Sequence, residues 1–348
     1  MKNPPNDLPN TEEEKSLDMK NLVTLDSDMG TDSSDFRIEP DELNDSPTSE
    51  NPIIERLKLY LSDKKYRIKL GDQMDDVLKD VQHSLQNHDI FAEQNSFNRL
   101  GESSLSCIKH YATNCETLIA MAMVSGSWME ENCYSMWSRV IKELGSVRSK
   151  SGIYLHHLEL QRFPATLIFY ALGMGALKFD RIDYLKHLFG ISIYDFRAES
   201  TGSHFHHLSA AEILPPYNSF TEVISQIKLH DDFKDKRLPM NHIIFDTLKS
   251  NCEVLNISEG QFSHIFNRFE VLIALNSLSN DGSTMIPGLF YVETDYDRAT
   301  LLSEIHYSIH MCRDKSPYVT SGIFDSIGDG IQRLDKFHHE MKKNRRIY

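Results

Sequence analysis

The segment "RFPATLIFYALGMGALKFDR", residues 162 to 181, constrains the fold more than any other part of the chain. Between Arg162 and Lys178 lie 15 uncharged residues, short of the roughly 20 that a helix needs to span a bilayer. A helix apolar on all sides must be enclosed by other elements rather than lie on a surface. Pro164 suits a first helical turn, where a missing N–H costs no bond. Ala171, Gly173, Gly175 and Ala176 keep one side flat enough for a neighbouring helix to approach closely. The expectation is a buried central helix around which the other elements pack.

The remaining periodicity from residue 51 onward is helical. Met74, Val77, Leu78, Val81 and Leu85 fall on one face, with Asp72 placed to cap the start, and Tyr134, Trp137, Val140, Ile141 and Leu144 repeat the stripe ahead of a left-handed Gly145. Thr113 with Glu116, Ser219 with Glu222 and Ser258 with Gln261 have the capping-box spacing, each before an apolar run. Asp180 reads as the cap of a short helix carrying Ile182, Leu185 and Leu188, closed by Gly190. Only "PGLFYVET" reads better as a strand, and no alternation of strands and helices appears. The fold class expected is all-α, an array of packed antiparallel helices over 51–348, with a weak boundary near 197–203.

Residues 1 to 50 differ in kind. They hold 14 Asp/Glu against 4 Lys/Arg, five prolines and almost no aromatics. Such a composition buries too little apolar surface to offset its ordering entropy, so a disordered acidic tail is expected there. The start lacks the apolar run of a signal peptide. The 5 cysteines are scattered without a CxxC pair, which fits a reducing cytoplasm and gives no zinc spacing. A mildly acidic domain does not favour nucleic acid as a direct partner.

Three motifs carry possible chemistry. "LDSDMGTDSSDF" resembles the calcium loop of the nucleoside hydrolases, and that resemblance implies Asp26, Asp28 and Asp35 as metal ligands and base, with Thr113-Asn114 and His230-Asp231 as further pieces. It is followed by the polar "RIEPDELNDSPTSENP" rather than by an apolar helix that would fix the ligands. Arg181 and His187 have the R-x5-H spacing and resemble the motif of the all-α HEPN ribonucleases, although Ile182 stands where that family has a polar residue. The histidines of "HFHH" (His204, His206, His207) and the pair His306 and His310 have metal-compatible spacing without the rest of a site. No P-loop, GxSxG or dinucleotide glycine motif is present.

Five segments, from "NPIIERLKLYLSDKKYRIKLGDQMDDVL" through "RFPATLIFYALGMGALKFDR" to "FNRFEVLIALNSL", resemble in order the helical C-terminal regions of large bacterial anti-phage and conflict-system proteins. In that group an effector domain precedes the helices; here the acidic tail stands in its place. The resemblance implies a non-enzymatic sensor, scaffold or accessory subunit, without cofactor or metal, that acts on a protein partner such as a separately encoded effector. The enzymatic alternatives are the calcium-dependent hydrolase and the ribonuclease. Trp128, Trp137, Arg139 and Arg162 are the candidate interface residues, because Trp and Arg are frequent anchors, while the stripe with Val140 and Ile141 points Trp137 toward the core.

Overall fold

The apolar segment forms the helix Phe163–Lys178, and every residue from Phe163 to Leu177 is buried. The computed structural model describes residues 52–86, 100–147, 155–195, 207–234, 236, 238–278 and 295–345. They all fall within one compact unit, Ser49–Tyr348. In chain order the helices before the sheet are α1 (Pro52–Ser62), α2 (Arg67–Gln86), α3 (Leu100–Trp128), α4 (Tyr134–Gly145), α5 (Leu155–Gln161), α6 (Phe163–Lys178) and α7 (Ile182–Phe189). A short antiparallel ladder follows, β1 (Ser192–Tyr194) with β2 (His207–Ser209), Ile193 opposite Leu208. Beyond it come α8 (Ala210–Ile213), α9 (Pro216–Ser219), α10 (Thr221–Ile227), α11 (Pro239–Lys249), α12 (Glu259–Ser277), α13 (Asp295–Cys312), α14 (Pro317–Thr320) and α15 (Ile327–Arg345). The fold is all-α, as expected, and the ladder is the one sheet among the described residues. The strand expected at 287–294, the acidic segment 1–50 and the boundary at 197–203 lie outside the described residues.

Small residues let α3 and α6 meet backbone to backbone. A Cβ on Gly126 would collide with the Leu172 carbonyl, and one on Gly175 with the Met123 carbonyl. The Ser127 hydroxyl, buried at the same crossing, lies 3.0 Å from both the Met123 and the Gly175 carbonyl oxygens. On another side of α6 the Phe269 ring of α12 fills the space that a side chain at Gly173 would need. Phe169, Tyr170 and Phe189 surround that ring, with centroids 5.3, 5.2 and 5.9 Å away. Aromatic rings at these separations add attraction beyond the area they bury.

Several helix starts differ from the local reading. Thr113 lies in the interior of the 29-residue α3, because the polar turn "ESSLSCIKHY" before it continues the same apolar face through Cys107, Ile108 and Tyr111, all buried. Asp72 likewise falls inside α2, which begins at Arg67. Ser219 ends α9 and donates its hydroxyl to the Ile213 carbonyl. The cap of α10 comes instead from Glu159 of α5. That fully buried carboxylate accepts hydrogen bonds from Thr221 Oγ1 at 3.0 Å and from the backbone N–H groups of Glu222 and Val223 at 3.0 and 3.1 Å. The box at Ser258 and Gln261 forms as expected.

Glycine and aspartate at the other boundaries also act differently. Gly145 keeps a negative φ and makes room for Ile193, whose methyl carbons lie 3.3 Å from where a Cβ would stand. Gly190 has φ −81°. Asp180 is itself left-handed, at φ 50°, and its carboxylate accepts from Arg268 Nη1 at 3.0 Å instead of capping α7. Arg268 also donates to the Tyr318 hydroxyl at 2.8 Å, so one guanidinium ties the α6–α7 turn to α12 and α14.

Candidate interaction surface

The C-terminal ends of α3 and α6 come together at one corner of the unit. Beyond the Ser127–Gly175 contact, Arg181 donates to the carbonyl of Met129, which follows the last residue of α3. Two large rings at this corner face solvent: Trp128, 53% exposed, and Phe179, 49% exposed. Their backbones are fixed. Met129 N–H donates to Ser125 O at 2.9 Å, and Phe179 N–H to Ala176 O at 3.2 Å. An exposed indole on an immobilised backbone loses little conformational entropy when a partner covers it.

Arg181 organises the polar side of the corner. Its Nη2 donates to the Tyr134 hydroxyl at 2.9 Å, and that hydroxyl donates to Asp183 Oδ2 at 2.9 Å. His187, one turn beyond Asp183 on α7, sits with its ring 5.1 Å from that of Tyr134, and its Nε2 lies 2.7 Å from Ser138 Oγ. Burial, followed by the hydrogen bond to Asp183, pushes the Tyr134 phenol up to about 12, so it stays a donor. Burial, then the nearby Lys142 cation, lowers His187 below its usual range, so the imidazole is neutral at physiological pH. The R-x5-H pair is thus brought together around one tyrosine. From the sequence Tyr134 reads only as part of the apolar stripe of α4 and Ser138 is not singled out, although their i, i+4 spacing matches that of Asp183 and His187 on α7.

Comparison with protein-family models, curated proteins and solved structures gives no match.

The other expected residues are dispersed. Trp137 is 1% exposed and packs in the core. Arg162 is fully buried and acts as a clamp: Nε donates to Gly145 O at 3.2 Å, and Nη2 donates to Tyr194 O at 3.1 Å and to Asp195 Oδ1 at 3.0 Å. Neither offers a surface as folded. Arg139 is exposed and pairs with Asp75 of α2. Of the expected interface residues, Trp128 alone belongs to the α3–α6 corner.

Asp26, Asp28 and Asp35 lie outside the described residues, as do His204 and His206. Asn114 donates to the His110 carbonyl of its own helix at 2.8 Å, and His230 and Asp231 sit in the turn after α10, Asp231 paired with Lys234. The His306 and His310 rings lie 4.2 Å apart and tilted by 50° on the exposed face of α13, and no group of three or more metal-ligating side chains occurs among the described residues. No described helix is long and apolar enough to cross a membrane.

Proposed function

We propose that this chain is a helical docking subunit, a sensor or scaffold of the kind its segments resemble in bacterial anti-phage systems, and that it holds a protein partner at the α3–α6 corner. The observation that carries this reading is the half-exposed indole of Trp128, fixed at the end of the most tightly packed helix pair. Phe179 and the Arg181–Tyr134–Asp183 relay supply an apolar centre and an ordered polar rim, the division found in stable interfaces. A stable contact there buries roughly 1,200–2,000 Å² in total. The test is a tagged pull-down from the native host, with and without phage challenge, comparing the wild type with Trp128→Ala. The partner is expected to be lost with the indole while the melting temperature holds. An unchanged partner set would sink the reading.

One observation favours a second reading, a ribonuclease: Arg181 and His187 converge on Tyr134, with Ser138 2.7 Å from His187. Turnover of RNA by the purified chain that disappears in both Arg181→Ala and His187→Ala would establish it in place of the docking role. Nucleosides and NAD belong in the same assay.

A further inference from the structure

Beside the Trp128 corner lies a basic stretch that local stability does not explain. Lys64, Lys65, Arg67 and Lys69 occupy four of six consecutive positions in a chain whose formal net charge is −14. Arg67 and Lys69 stand in the first turn of α2, which carries no acidic residue there. Cations at that end of a helix oppose the macrodipole. In their midst Ile68 is 79% exposed, the most exposed of the large apolar side chains among the described residues. Tyr66 lies under the patch, with Lys65 Nζ and Lys69 Nζ 4.8 and 5.5 Å from its ring centroid and the Tyr60 ring 5.6 Å away.

The patch and the corner are continuous. Lys64 Nζ lies 3.3 Å from the carboxylate of Glu130, two residues after Trp128. Lys65 pairs with Asp63 at 3.1 Å. Both pairs are largely exposed, and exposed pairs hold their partners only weakly, so an incoming carboxylate can exchange for either one.

The extent of the patch selects the partner. Asp63 and Glu130 border it, and Asp72, Asp75 and Asp76 follow on α2. A long polyanion such as RNA, or an anionic membrane surface, would meet these carboxylates as soon as it extended past the lysines. A short segment places its charges only where the cations are. We infer that the partner held at the Trp128 corner presents a short acidic peptide segment with an apolar side chain, its carboxylates on Lys64, Lys65 and Lys69 and its apolar group against Ile68. This inference rests on the docking role proposed above and names the chemistry of the partner.

The test uses the full chain and a fluorescein-labelled peptide of aspartates and glutamates around two leucines. A lysine-rich peptide with the same leucines, a single-stranded RNA oligonucleotide and phosphatidylserine vesicles serve as competing probes. The acidic peptide is expected to bind, to weaken as salt rises, and to lose about tenfold or more in affinity with Lys65→Glu/Lys69→Glu. Ile68→Ser is expected to weaken it without changing the salt dependence. All these positions are exposed, and unchanged melting temperatures check that the variants fold. Tighter binding of RNA, vesicles or the lysine-rich peptide, or indifference of the acidic peptide to both variants, overturns the inference. The native partner separates the two claims. Its loss with Trp128→Ala but not with the double charge reversal overturns the acidic segment alone, and its retention in both overturns the docking corner as well.

Discussion

The Tyr170 hydroxyl donates to Oε1 of Glu270 in the middle of the core, and Asn241 Nδ2 reaches the same oxygen at 3.3 Å. Oε2 of this fully buried carboxyl has no hydrogen-bond partner among the described residues. Burial raises its pKa from 4.5 to about 7, against the lowering by its two donors. The folded state therefore holds the proton more tightly than the unfolded chain, and stability falls as pH rises from about 4.5 to about 7. Glu270→Gln removes that loss. Thermal melts at pH 5 and pH 8 should show its advantage over the wild type growing by on the order of 3 kcal/mol at the higher pH. An equal effect at both pH values would mean that Glu270 is ionised in the fold.

Thr113 and Glu159 make opposite predictions for helix starts. Thr113 is exposed in the interior of α3, so Thr113→Ala should be neutral or stabilising by up to about 0.7 kcal/mol. Were it a cap, the same change would cost about 1 kcal/mol. Glu159→Ala should destabilise by about 2 kcal/mol or more, since it leaves the part-buried N–H of Glu222 and the buried N–H of Val223 without their acceptor. Urea titration of the two variants decides between the local and the tertiary cap.

The glycines separate packing from propensity. Nothing lies within 4 Å of a Cβ placed on Gly71 of α2, whereas Gly175 faces the Met123 carbonyl. Gly71→Ala should stabilise by about 0.5–1 kcal/mol. Gly175→Ala and Gly173→Leu should destabilise by about 1–3 kcal/mol or more, because neither neighbour can yield without parting two helices. Melting temperatures that rank these variants otherwise would contradict the close crossing.

Arg162 should behave as a stability residue. Arg162→Ala leaves Asp195 and two backbone carbonyls without their donor, and is expected to cost about 3–5 kcal/mol in chemical denaturation. A variant that keeps the wild-type stability would contradict the clamp.

What could be read from the sequence follows the range of each interaction. The burial of α6 was legible because its 15 uncharged residues leave no face for water, and the cap at Ser258 because both halves lie within one turn. The cap of α10 was not, since Glu159 is 62 residues from Thr221. The polar network had the same difficulty. Arg181 and His187 were visible as a spacing, yet Tyr134, 47 residues from Arg181, gives that spacing its geometry. The strands β1 and β2 have three residues each, too few for an alternation to register. Residue type alone does not distinguish an interface anchor from a core ring or a buried clamp: the stripe with Val140 and Ile141 already pointed Trp137 to the core, where it lies, whereas nothing local marked Arg162 as buried.

The contact of Gly126 with Leu172 and of Gly175 with Met123 has a bearing on timing. Helix ends ordinarily fray, but the last turn of α3 is held by a neighbouring backbone. Its amides can exchange with solvent deuterium only when α3 and α6 separate, and that separation breaks the most buried part of the core. The indole of Trp128 accordingly shares the lifetime of the whole fold, not that of a loose terminus. A partner of the kind proposed above would meet a surface that is already set before the encounter, and that vanishes together with the core when the chain unfolds.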